Sequence, residues 1–472
     1  MPEATVTTAA PGARATTARQ PAQLFAVAAV SALGGLLFGY DTGIISGALL
    51  HLRQDLALSS REQEIVVGVI LVGAMVGAVW SGRLAGRHGR RRLLVSVAVV
   101  FAAGALGAAF APGVGTLIAA RFVLGLAVGG ASNMVPVYLA EVAPASIRGR
   151  LMVMFQLMVA VGQLIAYLCG WVFAGSGGWR IMFGLAVIPA AVLGVGMLRL
   201  PESPRWLVDN GRHEQAEAVL RRLRPAGTDI AAEITSIRQV SADAPRTDRR
   251  ALTRPWVRPA LVVALGVAAF SQLTGINAVV YYAPTMLADA GFGDSAALLT
   301  GVGIGAMLVV AGVTGAIAVD AIGRRRTMLC FIPLSGLAMT VLGAAFLLPD
   351  SPAQRWTVII SLFAYILFNG IGMQSVVWLI GPEILPLSVR GPATSLATLT
   401  VWGFDLLIAV TALTAINAIG RSGTFFVYAA MNLLCIVFVL LKVPETRNKS
   451  LEDIETALRT DGSLRRALAG QR

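Results

Sequence analysis

Runs of about 20 apolar residues recur along almost the whole chain, and this repetition limits what it can fold into, because roughly 20 residues of helix cross the ~30 Å hydrocarbon core of a bilayer. Twelve such runs can be drawn, at 23–50, 65–85, 93–111, 116–141, 150–174, 180–199, 257–290, 296–320, 327–348, 355–385, 392–418 and 423–443. In lipid every backbone N–H and C=O must be satisfied within the protein, which leaves helices or a closed barrel. The runs are long and rich in Leu, Ala and Gly, and they lack the alternating ten-residue segments of a membrane barrel. The expected fold class is therefore an all-α membrane protein. Composition agrees, with 56% hydrophobic and only 13% charged residues and a mean hydropathy of +0.74, far from the mix of a soluble domain.

The charges report topology. The formal net charge is +13, yet the basic residues follow the loops instead of forming one patch, so no nucleic-acid partner is expected. Of 38 Lys and Arg, 32 lie in the N-terminal tail, in the loops after runs 2, 4, 6, 8 and 10, and in the C-terminal tail; five lie in the opposite loops and one, Arg121, inside a run. The positive-inside rule then puts both termini in the cytoplasm of a multi-pass cell-membrane protein. Residues 1–22 lack the apolar core of a signal peptide and read as a disordered cytoplasmic tail, which leaves the first run to direct insertion. Cys169, Cys330 and Cys435 all fall inside runs, against a disulfide framework. His51, His88 and His213 fall in loops or the linker, and nothing resembles a metal-ligand cluster or nucleophile triad. No metal, cofactor or enzymatic activity is expected.

Comparing the two halves exposes a duplication. "GRHGRRR" after run 2 returns as "DAIGRRR" after run 8, "AEVAPASIRG" (140–149) as "PEILPLSVRG" (382–391), and "PESPRWL" (201–207) as "PETRNKSL" (444–451). Three matches in the same order, about half a chain apart, indicate a repeat. The chain divides into two pseudo-symmetric six-helix bundles, 23–199 and 257–443, joined by a linker at 200–256 and followed by a cytoplasmic tail at 444–472. The linker is Arg-rich, with helical spacing in "GRHEQAEAVLRRL" and "AAEITSIRQV", and reads as two or three short amphipathic helices on the cytoplasmic side. Paired bundles around a shared midplane site suit alternating access, whereas a channel or embedded enzyme has no such requirement.

Two buried charges stand out. An ionised carboxylate at bilayer depth costs about 2.5–3.5 kcal/mol even on the mild insertion scale. Asp41, in "LGGLLFGYDTGIISGALL", must therefore face the bundle interior and find a partner. Arg121, in the fourth run, is the one basic residue inside a span and belongs to the same half. Protonation of Asp41 would free Arg121 and loosen the first helix; a static pair that fixes helix packing is the other reading. Side-chain amides both donate and accept hydrogen bonds, as recognition of a hydroxyl-bearing ligand requires. Gln156 and Gln163 are seven apart on one helical face, and "SQLTGINAVVYY" supplies Gln272, Asn277, Tyr281 and Tyr282, with Gly275 as a helix break. Interhelical hydrogen bonding would account for the same amides. Asp405 is a second intramembrane carboxylate, open to a role in proton transfer, in contact with a hydroxyl or amino group, or in a pair within its bundle.

"GGLLFGYDTGIISGAL", "PVYLAEVAPASIRGR", "PESPRWL", "QLTGINAVVYYAP", "GRRR", "PEILPLSVRG" and "PETRNKSLEDIE" together resemble the sugar porter family of the major facilitator superfamily, over nearly all of residues 25–455. The resemblance implies the major facilitator fold, a central monosaccharide-sized site and rocker-switch movement. It also implies an aromatic role for Trp378 and Trp402, and proton coupling at Asp41 and Arg121, because the family's proton-coupled members carry Asp and Arg at those positions. Arg87, Arg90, Glu141, Arg148, Arg150, Asp320, Arg324, Glu383 and Arg390 match residues that form a cytoplasmic gate of ion pairs; topology and helix capping would also explain them. Gly86 replaces the family's usual acidic residue. Ser271, Leu308 and Val401 stand where polar side chains are common, so the second half of the site has lost polar contacts. The expected function is secondary active transport, as a proton:monosaccharide or polyol symporter, with a sugar, protons and the bilayer as partners and a monomer as the unit. A uniporter or exporter of the same solutes is the alternative, and a non-transporting sugar sensor a further one.

Overall fold

The structure, a computed structural model, describes residues 22–447 apart from 175–177, 226, 243–251, 253 and 387–388, together with residues 449, 454, 458 and 459. The expected N-terminal tail, part of the linker and most of the expected C-terminal tail lie outside the described residues. Among the described residues the fold is all-helical, with twelve segments long and apolar enough to cross a membrane. In the first half α1 (Ala22–Asp55), α2 (Ser60–His88), α3 (Arg90–Ala109), α4 (Val114–Val142) and α5 (Ala145–Val172) are single helices. The sixth crossing is divided at Ala186 into α6 (Trp179–Leu185) and α7 (Val187–Arg199). Three short linker helices follow: α8 (Pro204–Asp209), α9 (His213–Leu223) and α10 (Ile230–Ala242).

The second half opens with a broken crossing, α11 (Arg258–Leu273) and α12 (Ile276–Asp289). Gly275 sits between them in the left-handed region at φ 94°, a conformation that favours glycine, so the break falls where the sequence put it. α13 (Asp294–Ile322) and α14 (Arg324–Ala345) are continuous. The tenth crossing runs through α15 (Pro352–Asn369), a π-helical turn at Gly370–Gln374 and α16 (Ser375–Ile384). α17 (Arg390–Ala409) and α18 (Ala412–Lys442) complete the half. Here the structure departs from the expected runs at 392–418 and 423–443: the chain turns at Val410 and Thr411, and residues 412–419 join α18, which kinks at Gly420 (φ 76°). Neither Val410 nor Thr411 is a helix breaker, so apolar character reads straight through the turn.

Lipid offers no hydrophobic drive between helices, and close backbone approach through small residues supplies the packing instead. α1 presents Gly35, Gly39, Gly43 and Gly47, one per turn, to the backbone of α5 at Phe155, Val159, Gln163 and Gly170. Gly162 of α5 answers against Leu36 and Tyr40. α2 and α4 meet in the same way through Gly73 and Gly77 on one side and Gly125 and Gly129 on the other. These seams fix the helix that carries Asp41 and the helix that carries Arg121. On the outer surface the pattern inverts, with large apolar residues such as Trp80, Val99, Ile188, Leu337 and Leu441 exposed as a lipid-facing surface requires.

The linker helices dock on the first half. Trp206 of α8 is buried and donates from Nε1 to the Gly86 carbonyl at 2.9 Å. Arg224 donates to the Val142 carbonyl at 2.8 Å and pairs with Glu233 at 2.7 Å.

A Cβ on Gly39 would overlap the Val159 carbonyl, with backbone rather than a flexible side chain in the way. Gly39→Val is expected to abolish most of the monodisperse protein recovered in detergent, whereas Gly82→Val, at a site with open space, leaves the yield unchanged. Size-exclusion chromatography of fluorescently tagged variants reads the difference.

Candidate functional site

The duplicated motifs build the same corner twice. In the first half Arg90 donates to Glu141 at 2.9 Å, and Ser203 donates to the other oxygen of Glu141 at 2.5 Å. In the second, Arg324 donates to Glu383 at 2.6 Å and Thr446 to the other oxygen of Glu383 at 2.6 Å. Beneath each corner a further carboxylate receives backbone N–H groups at a helix N-terminus: Glu202 from Arg90 (2.9 Å) and Arg91 (3.0 Å), Glu445 from Arg324 (2.9 Å) and Arg326 (3.3 Å). A negative charge is favoured there by the helix dipole and by otherwise unsatisfied donors. Gly89 (φ 94°) and Gly323 (φ 93°) make the two sharp entries.

Of the expected gate residues, the pairs Arg90–Glu141 and Arg324–Glu383 each lie within one half rather than across the two. Arg87, Arg150 and Asp320 are exposed at the same end. Arg390 donates to the Leu385 carbonyl. The Arg148 side chain lies outside the described residues. At the opposite end the halves are joined directly. Glu64, only 2% exposed, accepts from the Thr414 backbone N–H and hydroxyl, both at 2.7 Å. Arg53 pairs with Asp289 at 2.6 Å, and Asn417 donates to Ser60 at 3.2 Å.

Midway along the bundle, Asp41 and Arg121 are both buried and stand 3.9 Å apart, near enough for attraction but beyond a hydrogen bond. Arg121 is anchored elsewhere: its Nε donates to the Val66 carbonyl at 2.6 Å, and its guanidinium lies 5.8 Å from the Phe183 ring centroid. Its Nη1 is buried without a hydrogen-bond partner among the described residues. The pair borders a cavity of about 10 Å³ whose wall also includes Phe38 from the first half and Tyr281 and Trp402 from the second. One small space thus touches both charges and both halves.

The second half gathers most of the expected polar residues around the break in its first crossing. Asn277 donates to Gln272 at 2.8 Å, Gln272 to Ser271 at 3.2 Å, and Ser271 to the Ala268 carbonyl at 2.7 Å. Tyr281 donates to Asp405 at 3.1 Å, and Tyr282 to the Ala409 carbonyl at 2.5 Å. Trp402 lies tilted against Phe38 with ring centroids 5.5 Å apart, and its buried Nε1 has no partner among the described residues. Ser271 and Val401 are buried and Leu308 packs in the core, so the three departures leave apolar or internally satisfied positions. Gln163 is half-buried, its backbone against Gly43. Gln156 and Trp378 are exposed and lie outside the small cavity.

Several residues escaped sequence reasoning. Breaking a helix frees carbonyls, and the Thr274 carbonyl accepts from Tyr365 (2.8 Å) and Asn432 (3.3 Å), while that of Ser271 accepts from Gln374 (2.9 Å). Asn369 completes the network with a bond to the Thr274 hydroxyl at 3.1 Å. No local motif marks these donors, which come from the tenth and twelfth crossings. Glu202 and Glu445 were detectable, because each follows proline in the repeated "PES" and "PET".

A family model described as "Sugar (and other) transporter" matches residues 27–458. A D-xylose transporter of Levilactobacillus brevis is 41% identical over 433 residues, covering 91% of this chain and 94% of that protein. The galactose-proton symporter of Escherichia coli is 37% identical over 452 residues, covering 94% and 96%. Among solved structures, the inward-open conformation of the xylose transporter XylE from E. coli superposes with a TM-score of 0.80 at 28% identity, covering 92% of this chain and 99% of that one.

Each corner carboxylate is expected to hold its half together independently of transport chemistry. Glu202→Ala or Glu445→Ala removes a charge from a helix N-terminus and should lower stability by about 1–2 kcal/mol. Thermal unfolding in detergent measures this, and an unshifted transition in both variants would show that the corners carry no stability.

Proposed function

The chain belongs to the sugar transporter family, the sugar porters of the major facilitator superfamily, and from that premise we propose that it is a proton:monosaccharide or polyol symporter working by alternating access. It is a membrane carrier, not an enzyme. The observation that carries the proton-linked reading is Asp41, buried 3.9 Å from Arg121 on a cavity that Tyr281 and Trp402 of the other half also line. The relative named as a galactose-proton symporter adds support. The basic loops support an orientation with both termini in the cytoplasm of a cell-membrane protein. The joined end, at Glu64–Thr414 and Arg53–Asp289, then faces outward, and the ends carrying the two corners face the cytoplasm. Likeness to an inward-open structure supports the same orientation.

In the proposed cycle a sugar enters from outside between the bundles and meets Gln156 and Gln163 of the first half, with Gln272, Asn277 and Asp405 of the second. Tyr281, Tyr282, Trp378 and Trp402 supply apolar faces and further hydroxyl or N–H donors. A proton placed on Asp41 removes its attraction to Arg121, which stays anchored by the Val66 carbonyl. α1 then shifts against its glycine seam with α5, and the loaded carrier turns inward. In the outward-open stage the corner residues, Arg90 and Glu141 with Arg324 and Glu383, together with Arg87, Arg148, Arg150, Asp320 and Arg390, re-pair across the closed cytoplasmic end. A membrane potential of about 100 mV supplies roughly 2.3 kcal/mol per charge moved, enough to accumulate a neutral sugar by somewhat under two orders of magnitude.

The test is external pH in a weakly buffered suspension of de-energised cells making the protein, as pentoses, hexoses, amino sugars and inositols are added in turn. Vector-only and Asp41→Asn cells run in parallel. Alkalinisation with one sugar, absent from both controls, is expected. Labelled sugar that equilibrates without alkalinisation would make the carrier a facilitator and reduce Asp41 to a packing partner of Arg121.

A further inference from the structure

The two halves differ in how their buried acids are balanced. Asp41 has Arg121, whereas Asp405, 4% exposed in the last quarter of α17, has no Lys, Arg or His within ion-pair distance among the described residues. Its partners are neutral: the Tyr281 hydroxyl at 3.1 and 3.3 Å from its two oxygens, with Asn277 beside the same carboxylate.

The helices packed against α17 bring no counter-charge to that level. On α12 the nearest titratable groups are Tyr281 and Tyr282, with Asp289 at the far end. On α2 the ionisable groups fall in its end turns: Arg61, Glu62 and Glu64 at one end, Arg83, Arg87 and His88 at the other. α11 offers Arg258 in its first turn, and Glu383 of α16 is already paired with Arg324. On α17 itself the nearest base is Arg390, fifteen residues away or about 22 Å along the helix. Across the cavity Arg121 serves Asp41.

A carboxylate at this depth with no base of its own is disfavoured while ionised. A second observation shows that the same face awaits a ligand: Trp402, one turn before Asp405, holds a buried Nε1–H that finds no acceptor among the described residues. A sugar hydroxyl would satisfy Trp402, and a cation would satisfy Asp405.

Resting on the transport reading above, we infer that Asp405 takes up one positive charge with each sugar, so that the substrate is carried with a charge beyond the one handled at Asp41. The cation is a single-charge hydrogen-bond donor, and two sources share that chemistry: a proton accompanying a neutral sugar, or the ammonium group of an amino sugar. In the first case a proton from outside water bonds to an Asp405 oxygen, crosses with the sugar and is released to inside water, leaving the carboxylate behind. In the second the carboxylate stays ionised and the ammonium crosses as part of the substrate.

The measurement is the sugar gradient at which net flux stops in proteoliposomes holding the purified full chain, with the potential set by potassium and valinomycin. Each coupled charge is worth about tenfold in that gradient per 59 mV. With a neutral sugar, Asp405→Asn is expected to null at a gradient about tenfold lower than wild type at 59 mV, and Asp405→Glu at the wild-type value. An ammonium carries its own charge through either protein, so the amino sugar is read by its binding preference instead. Equal null gradients for the neutral sugar, together with the same amino-sugar preference in wild type and Asp405→Asn, overturn the inference. The symport reading fails separately, if Asp41→Asn leaves the wild-type gradient unchanged.

Running glucose beside 2-amino-2-deoxyglucose separates the sources, because a proton accompanies the neutral sugar whereas the ammonium needs none. If Asp405→Asn transports too slowly, calorimetry of sugar binding in two buffers of different ionisation heat decides the matter. Wild type should then take up one more proton with the neutral sugar than the variant does, or bind the amino sugar at least tenfold tighter than glucose with that preference lost in the variant. Neither difference appearing would overturn it.

Discussion

An ionised carboxylate in the middle of a bilayer is stable only where the protein answers its charge, and the arrangement around Asp41 shows what that answer involves. Arg121 is not wrapped around the carboxylate. It is held by the Val66 carbonyl and stands 3.9 Å from Asp41, so α1, α2 and α4 meet through one guanidinium. The glycine seams are what allow the approach, because α1 must lie against α5, and α2 against α4, at backbone distance for the two charges to share a level. Attraction at 3.9 Å in a low dielectric is substantial yet short of a hydrogen bond, and the proposed cycle uses it as the contact that a proton on Asp41 releases.

In the proposed cycle the duplication is what turns this local chemistry into movement. Each half is closed at its basic-loop end by the same arginine–glutamate corner, seated on a second carboxylate at a helix N-terminus, so each bundle holds together there without help from the other. At the opposite end Glu64 and Thr414 tie the bundles to one another. Between the two ends lies a cavity touched by both halves. Two internally braced bodies, joined at one end and meeting over a switchable charge, are what rocking about a midplane site requires.

Much of this was legible in the sequence. Apolar runs located nearly every crossing, Gly275 marked the broken seventh, and the three repeated motifs pointed to residues that the fold places in matching corners. Asp41 and Arg121 declared themselves as a candidate pair because lipid makes isolated charges conspicuous. What stayed hidden was non-local. Glu64 reads as an ordinary acid near the start of α2, since its partner Thr414 is 350 residues away. Asn432 and Gln374 serve carbonyls freed by the break at Gly275, and Asn369 serves the Thr274 hydroxyl beside it, roles set by geometry among distant helices. The π-helical turn at 370–374 and the turn at Val410–Thr411 carry no breaker and no interruption of hydropathy. The gate motif named the right residues for the corners, but only the structure assigns Arg90–Glu141 and Arg324–Glu383 to their own halves.

The central claim is that the charge on Asp41 governs the relative position of the two bundles, and the most direct measurement is a distance. Spin labels at Arg83 and Ala321, exposed residues near the basic-loop ends of opposite halves, in a cysteine-free background, report that distance by double electron–electron resonance as pH is lowered. The account predicts a shift between two populations in the wild-type protein. In Asp41→Asn it predicts one distribution, resembling the low-pH wild type, that no longer responds to pH. An Asp41→Asn protein that followed the wild-type response would contradict it.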